Sequence, residues 1–164
     1  MSNGTKVKKR DGRIEPLDLD KMHLMVEEAC QGLAGVSASQ VEMKSGIQFY
    51  DGITTEEIQE ILIRAASDLI DLDHPNYQFV AARLLLFALR KQLYGKMRDL
   101  PSLEDHIYSC VNAEVYDPEI YSKYSLEEIQ KADTYIDHTR DFMFTYAGLR
   151  QVADKYLVQD RSSG

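Results

Sequence analysis

The chain has 164 residues, of which 44% are hydrophobic and 28% are charged, and its formal net charge is −8. A chain of this length buries roughly 70% of its unfolded surface, which is enough for one domain or for a domain with an appendage. The acidic balance and the absence of tryptophan argue against a nucleic-acid partner, because nucleic-acid binding requires a basic face and stacking aromatic side chains.

The sequence also argues against a membrane or secreted protein. Its longest apolar run covers residues 84–89, far below the roughly 20 residues of a membrane span. Residues 1–6 lack the apolar core of a signal peptide. Cys30 and Cys110 lack metal-ligand spacing, so we expect reduced, ordinary cysteines, no metal site, no membrane partner and a cytoplasmic location.

The first predicted element is a β-hairpin. Residues 5–8 and 13–16 flank Asp11-Gly12, which favours a two-residue turn. Asp18 is the predicted N-cap of a helix over residues 19–33. Ser37 and Gln40 have capping-box spacing and predict a second helix that runs to residue 49.

Two further helices are predicted before residue 95. Thr54 and Glu57 repeat the capping-box spacing at the start of a third helix, which ends before His74-Pro75. Residues 77–94 form the most apolar predicted helix, which Gly95 ends, and its apolar positions cover most of its circumference. The sequence therefore predicts a mainly α fold, in which a small N-terminal hairpin caps four helices.

The sequence pattern changes after residue 101, from long predicted helices to short ones. Short helices are predicted over residues 102–112, 118–123 and 125–137. Thr145 then caps a helix that runs to residue 154. Residues 156–159 predict a strand, and residues 160–164 predict a hairpin turn whose return strand is missing.

Separate stretches of the first 95 residues carry groups suited to a phosphate. The hairpin and the first and fourth helices supply Lys9, Arg10, Asp18, Lys21, Arg90 and Lys91, among which the cations bind phosphate oxygens. Thr54-Thr55 stands at a helix N-terminus, which favours anions. Val7, Leu17 and Met22 could sandwich a base, and Glu15 could accept from the exocyclic amine of adenine. A Lys-Lys-Arg turn is usually solvated surface, so a helical interaction module without a ligand stays open.

Five motifs follow one another in this part of the chain: Val7-x-Lys9-Arg10-Asp11-Gly12-x-x-Glu15, Leu19-Asp20-Lys21, Asp51-Gly52-Ile53-x-Thr55, Tyr77-x-x-x-Ala81-Ala82-Arg83 and Leu89-Arg90-Lys91-x-x-Tyr94-Gly95. In this order and spacing they resemble the ATP-cone at the front of the large (alpha) subunit of class I ribonucleotide reductase. Later motifs, from Asp105-His106 to Ile136-Asp137-His138-x-Arg140-Asp141, resemble the linker of that subunit, and the chain from Phe144 resembles the opening of its reductase amino-terminal domain. The resemblance implies an ATP-cone allosteric nucleotide-binding domain at 1–95, a helical linker at 96–140 and the truncated start of the next domain at 141–164.

The resemblance also implies a role for each site residue. Lys9, Arg10, Lys21 and Lys91 would hold the phosphates; Val7, Leu17 and Met22 would flank the adenine; Glu15 and Asp18 would read its edge; Thr55 and Gln59 would lie near the sugar and phosphates; and Phe87 would line the pocket. Two of these positions depart from the family pattern, in which we expect Asn at position 18 and His at position 59. Asp cannot donate to a ring nitrogen and Gln cannot become cationic, so we expect weaker binding or altered discrimination between ATP and dATP.

The implied function is allosteric regulation of a ribonucleoside-diphosphate reductase by ATP or dATP, with Mg²⁺ as an optional companion ion. In that family ATP favours activity and dATP inhibits by changing subunit association. The implied partners are the C-terminal remainder of the large subunit, supplied by a separate chain or by a longer one, the small radical-generating subunit, and a second cone in an oligomer.

Cys30 and Cys110 match none of the family's catalytic cysteines, so we expect this chain alone to carry no catalytic residue and no catalytic cofactor. The alternative is a free-standing ATP-cone regulator, of the type that is fused to a DNA-binding zinc ribbon. It requires C-x-x-C pairs or another basic DNA-binding element, and the sequence shows neither.

Overall fold

The computed structural model describes residues 5–46 and 48–158. Three strands form one sheet: β1 (Lys6–Lys8), β2 (Ile14–Pro16) and β3 (Ile53–Thr54). Eight α-helices accompany them in the described ranges: α1 (Leu19–Cys30), α2 (Ala38–Gly46), α3 (Thr55–Ser67), α4 (Tyr77–Tyr94), α5 (Leu103–Asn112), α6 (Ile120–Lys123), α7 (Leu126–Asp133) and α8 (Tyr146–Lys155). A 3₁₀ helix covers His138–Met143. The predicted mainly α fold with a small N-terminal β element is confirmed.

The chain divides into two compact units. The first unit contains the chain up to Leu89 together with the segment from Phe142 onwards, and the second unit contains Arg90–Asp141. The first unit holds the sheet and the helices α1 to α3, and the second holds α5 to α7. The described part of the chain contains no helix that is both long enough and apolar enough to cross a membrane.

The hairpin forms where it was predicted, but its turn is longer. The N–H of Lys9 donates to the carbonyl of Arg13 at 2.8 Å, and the N–H of Gly12 donates to the carbonyl of Lys9 at 2.9 Å. Three residues, Arg10 to Gly12, therefore connect the paired ends, and the two-residue turn was wrong. Gly12 has φ of +84°, the left-handed conformation that closes a three-residue hairpin loop with a bulge.

The strand β3 was not predicted. It pairs in parallel with β1, with Val7 opposite Ile53, while β2 pairs with the other edge of β1 in antiparallel register. Val7 and Ile53 are both buried, at 3% and 0% exposure. The central strand β1 therefore fixes the hairpin against the residues that lead directly into α3.

Three predicted helices end earlier than expected. Helix α1 stops at Cys30 because Gly32 and Gly35 adopt positive φ directly after it. Helix α2 ends at Gly46, and the chain leaves it through a turn in which the N–H of Gln48 donates to the carbonyl of Ser45. Helix α7 ends at Asp133 rather than at residue 137, and the 3₁₀ helix that follows was not predicted.

Helix α4 supplies more buried apolar residues to the first unit than any other element of that unit. Its buried residues in that unit are Tyr77, Val80, Ala81, Ala82, Leu84, Leu85, Leu86 and Phe87. These positions cover more than one face of a helix, which confirms the prediction of a helix enclosed on most sides. Helix α8 belongs to the same unit, where its Arg150 pairs with Glu60 of α3.

The end of the described chain differs from the prediction. Thr145 caps α8 as expected, accepting from the N–H of Gly148 at 3.2 Å. Residues 156–158 form no strand, because the N–H groups of Tyr156 and Leu157 both donate back to the carbonyl of Val152 and complete the helix end. Residue 159 and the predicted turn at 160–164 lie outside the described residues.

The second unit is held by contacts between α5 and α7. Ile107 and Ile129 are buried between them, and the N–H of Leu103 donates to the carboxylate of Asp133 at 2.8 Å. Arg90 is only 8% exposed and donates to the carboxylate of Asp141 at 2.8 Å. Arg90, a candidate phosphate ligand by its charge, is thus engaged by a carboxylate of its own unit.

Candidate nucleotide-binding site

The cationic loop of the hairpin is held by carboxylates of the chain itself. The Nζ of Lys9 lies 3.5 Å from Glu15 Oε2, and Nε of Arg10 donates to the carboxylate of Glu56. Arg13 contacts Glu15 at 3.1 Å. Two of the cations predicted to hold phosphates, Lys9 and Arg10, are therefore neighbours on the hairpin, and each already has an anionic partner.

Glu15, which was predicted to read the edge of the adenine, is paired with cations of the hairpin. It stands on β2 opposite Val7 and is shared by the cations of Lys9 and Arg13. Its side chain keeps 41% exposure, so one face stays accessible. Its predicted contact with the exocyclic amine of adenine stays a prediction.

The N-terminus of α1 brings Leu17, Asp18, Lys21 and Met22 together. The Oδ1 atom of Asp18 accepts from the N–H of Lys21 at 2.9 Å, which confirms Asp18 as the N-cap. The N–H of Leu17 donates to the carbonyl of Thr5 at 2.8 Å and ties this helix start to the hairpin. Leu17 and Met22 are half-buried and Lys21 is exposed. Because Asn caps helices as well as Asp does, the Asp18 departure leaves the local fold unchanged and alters the charge and the ability to donate a hydrogen bond.

The N-terminus of α3 lies directly beside the hairpin. The hydroxyl of Thr55 donates to the carbonyl of Lys8 at 3.3 Å, one residue before the cationic loop. Thr54 and Glu57 form the predicted capping box, in which Glu57 accepts from the N–H of Thr54 at 2.8 Å and from the hydroxyl of Tyr50 at 2.8 Å. The hydrogen bond from the backbone of Thr54, followed by those from Tyr50 and from the Thr54 hydroxyl, lowers the pKa of Glu57 below its usual value. This end of α3 therefore favours negative charge, as expected of a helix N-terminus.

Gln59 follows one turn into α3 and is 5% exposed. Its Nε2 atom is buried and has no hydrogen-bond partner among the described residues. A buried amide N–H without a partner costs about 1–3 kcal/mol, so such groups require an explanation. A ligand oxygen that accepts from this nitrogen is one explanation.

The last two predicted residues, Phe87 and Lys91, have different positions. Phe87 is 1% exposed and meets Phe142 edge to face, with ring centroids 6.2 Å apart, while the guanidinium of Arg83 lies 5.4 Å from the centre of the Phe142 ring. Phe87 is thus a core residue of the first unit. Lys91 lies on the last turn of α4, within the second unit, and its predicted part in the site stays a prediction.

A cavity of about 450 Å³ lies in the second unit, lined by Tyr94, His106 and Cys110 among others. None of the twelve predicted nucleotide-binding residues lines it. In the described ranges, no group of three or more His, Cys, Asp or Glu side chains is placed to hold a metal ion.

Sequence reasoning did not single out Glu56 or Tyr50. Glu56 meets Arg10 across 46 residues of sequence, and Tyr50 reaches the capping carboxylate of Glu57. The only sequence signal for Glu56 is its place in the first turn of a helix, where an acidic residue is common for structural reasons.

A cationic hairpin, an anion-favouring helix N-terminus beside it and a buried, unpaired amide one turn further along that helix are the features expected of a regulatory domain of the cone type. The sequence model of the ATP cone domain matches residues 5–92, more than half of this chain, and the chain belongs to the ATP-cone family.

Over all its 164 residues the chain is 48% identical to the ribonucleoside-diphosphate reductase 1 subunit alpha of Escherichia coli (strain K12), of which it covers 21%. It is also 48% identical to the corresponding alpha subunit of Haemophilus influenzae (strain ATCC 51907 / DSM 11121 / KW20 / Rd), of which it covers 22%. Over 158 residues, 95% of the chain, it is 44% identical to the alpha subunit of Enterobacteria phage T4, of which it covers 20%. The chain thus spans about a fifth of the length of the curated relatives it matches, and the resemblance to the front of a class I reductase large subunit is confirmed.

Proposed function

We propose that the first 95 residues bind ATP or dATP as an allosteric effector and pass the state of that site to the reductase large subunit. The main support is the unpaired Nε2 of Gln59, since it is a buried donor with no acceptor among the described residues. Two further features fit a nucleotide: Thr55, one turn before Gln59 on α3, donates to the hairpin backbone, and the cations of Lys9 and Arg10 follow on the hairpin.

In this proposal the cations hold the phosphates and the amide of Gln59 donates to a sugar or phosphate oxygen. A glutamine supplies a neutral donor where the family pattern has a histidine, so the site relies more on the hairpin for charge. Asp18 adds a negative charge at the start of α1. We therefore expect this site to bind nucleotides more weakly than a cone with Asn and His at these positions. We also expect its discrimination between ATP and dATP to be altered.

The proposal extends to partners. The relatives are alpha subunits about five times as long as this chain, so the remainder of a large subunit is the first partner. A small radical-generating subunit and a second cone in an oligomer are the other two. The division into a cone at 1–95, a linker at 96–140 and the start of the reductase domain at 141–164 is part of the same proposal.

The test is a thermal-shift titration of the 164-residue chain with ATP and dATP, and with GTP as the control nucleotide. A ligand at 100 times its dissociation constant adds about 2.7 kcal/mol to the free energy of unfolding, which raises the melting temperature of a chain of this size by several degrees. We expect a shift with the adenine nucleotides and little with GTP.

Two variants locate the binding. Lys9→Gln removes a predicted phosphate ligand, whereas Lys8→Gln removes the same charge from the neighbouring exposed position. We expect the first variant to lose most of the shift and the second to keep it. Equal behaviour of the two variants would mean that the hairpin acts only through its overall charge. A melting temperature indifferent to all three nucleotides would instead support an interaction module without a ligand.

A further inference from the structure

Glu56 is placed to compete with a bound phosphate. It lies in the first turn of α3, and its carboxylate is paired with Nε of Arg10 on the hairpin loop. Carboxylates and phosphates bind the same edges of a guanidinium group. A phosphate group that takes this edge of Arg10 must therefore displace Glu56 or share the guanidinium with it.

The ion pair is easily rearranged. The two side chains keep 39% and 47% exposure, so water can replace either partner. Exposed ion pairs of this kind change a binding constant by about fivefold at most. Glu56 is thus a weak competitor, which lowers the affinity of the site for a phosphate without preventing binding.

Other carboxylates near Arg10 add to the competition that Glu56 offers to a phosphate. Glu57 already brings one carboxylate to the N-terminus of α3, and its lowered pKa keeps it ionised. Lys9, the neighbouring cation, is itself paired with Glu15. The two hairpin cations predicted to hold phosphates are therefore both paired with carboxylates, and Glu56 pairs with the guanidinium, the group best shaped to bind a phosphate.

We infer that Glu56 is an internal competitor for the phosphates, which lowers the affinity of the site for triphosphates by occupying Arg10. This inference rests on the proposed function, because it assigns a regulating residue to the same nucleotide site. It makes Glu56 a residue that lowers affinity indirectly, through its pairing with Arg10.

The experiment compares the 164-residue chain with Glu56→Gln by isothermal titration calorimetry with ATP, once with Mg²⁺ and once with a chelator. Glu60→Gln is the matched control, since it removes the same charge one turn further along α3, where the carboxylate pairs with Arg150. We expect Glu56→Gln to bind ATP about two- to fivefold more tightly, which corresponds to the release of one exposed ion pair. We expect Glu60→Gln to stay within twofold of the unchanged chain.

The ligand-free stability separates competition from a general effect on the fold. Loss of the ion pair does not raise the melting temperature without nucleotide, so a gain in affinity at unchanged or slightly lower stability supports the inference. Binding by Glu56→Gln alone, with none by the unchanged chain, supports it as well.

Three results overturn the inference. The first is an equal or weaker affinity of Glu56→Gln where the unchanged chain binds ATP. A loss confined to the Mg²⁺ series would instead make Glu56 a metal ligand. The second is an equal gain in ATP affinity in Glu56→Gln and Glu60→Gln, which would mean that removing any negative charge from α3 has the same effect. The third is the absence of ATP binding in every protein, which removes the proposed function and the inference with it.

Discussion

Gln59→Leu is the substitution that best separates stability from binding. The amide nitrogen of Gln59 is buried without a partner among the described residues, and the side chain is 5% exposed. Leucine has a similar size and carries no polar atom. The substitution therefore removes a group that costs stability in the ligand-free protein, and it also removes the donor that the proposed ligand would use.

The magnitude follows from the burial of the amide. An unsatisfied buried donor costs about 1–3 kcal/mol, and an imperfect match of shape returns part of that gain. We therefore expect the free energy of unfolding of Gln59→Leu without nucleotide to rise by about 1 kcal/mol. For a chain of this size that corresponds to an increase in melting temperature of about 2–4 °C.

Denaturant unfolding with and without ATP measures both effects. The variant should be more stable than the unchanged chain without ATP and should gain less from ATP. Gln40→Leu is the control, because the amide oxygen of Gln40 accepts from the hydroxyl of Tyr77 at 2.8 Å and its loss should lower stability. Destabilisation by Gln59→Leu of more than about 1 kcal/mol would refute the reasoning, since it would mean that the amide is satisfied in the ligand-free protein.

Two further predictions concern the first unit. The hydrogen bond to Glu42, at 2.8 Å, and the nearby Glu27 raise the pKa of His23. The stability gained from this cluster is full below the ordinary imidazole pKa and is lost as the pH rises through the higher folded value, so the stability difference between the unchanged chain and His23→Gln should shrink from pH 6 to pH 8 in urea unfolding. Thr54→Ala breaks the capping box with Glu57 and should cost about 1 kcal/mol in the same assay.

Each of these two predictions has its own contradicting result. A difference for His23→Gln that stays flat or grows with pH would show that the imidazole is not stabilised in its charged form. For the cap, Thr134→Ala is the control, since that hydroxyl donates to the carbonyl of Lys131 on an exposed helix end. Equal losses in Thr54→Ala and Thr134→Ala would mean that the capping box contributes nothing specific.

Local sequence signals predicted the parts of the fold that local chemistry determines. The capping box of Thr54 and Glu57, the N-cap of Asp18 and the helix end at Gly95 all act within four residues, and all three form as predicted. The strand β3 could not be found in this way, because two residues carry no periodicity and its pairing with β1 joins positions 46 residues apart. Residues 156–158 resemble a strand by residue type but complete the end of α8 instead, because two of their N–H groups bond to the carbonyl of Val152.

The candidate site shows the same limit. The residue types and spacing predicted that the hairpin, the starts of α1 and α3, and α4 carry the ligand. The contacts of Leu17 with Thr5 and of Thr55 with Lys8 bring the first three together, and the part of α4 stays a prediction. The partner of Arg10 could not be predicted, since Glu56 has no special feature in the sequence. The burial of Gln59 could not be predicted from the sequence either, because it depends on how α3 packs rather than on the residue pattern of α3.

The most direct test of the account is calorimetric titration of the 164-residue chain with ATP, dATP and GTP. The account predicts saturable binding of ATP or dATP, lost in Lys9→Gln and retained in Lys8→Gln, and no comparable binding of GTP. Absence of saturable heat with both adenine nucleotides up to millimolar concentration, in a chain that is folded by circular dichroism, would contradict it.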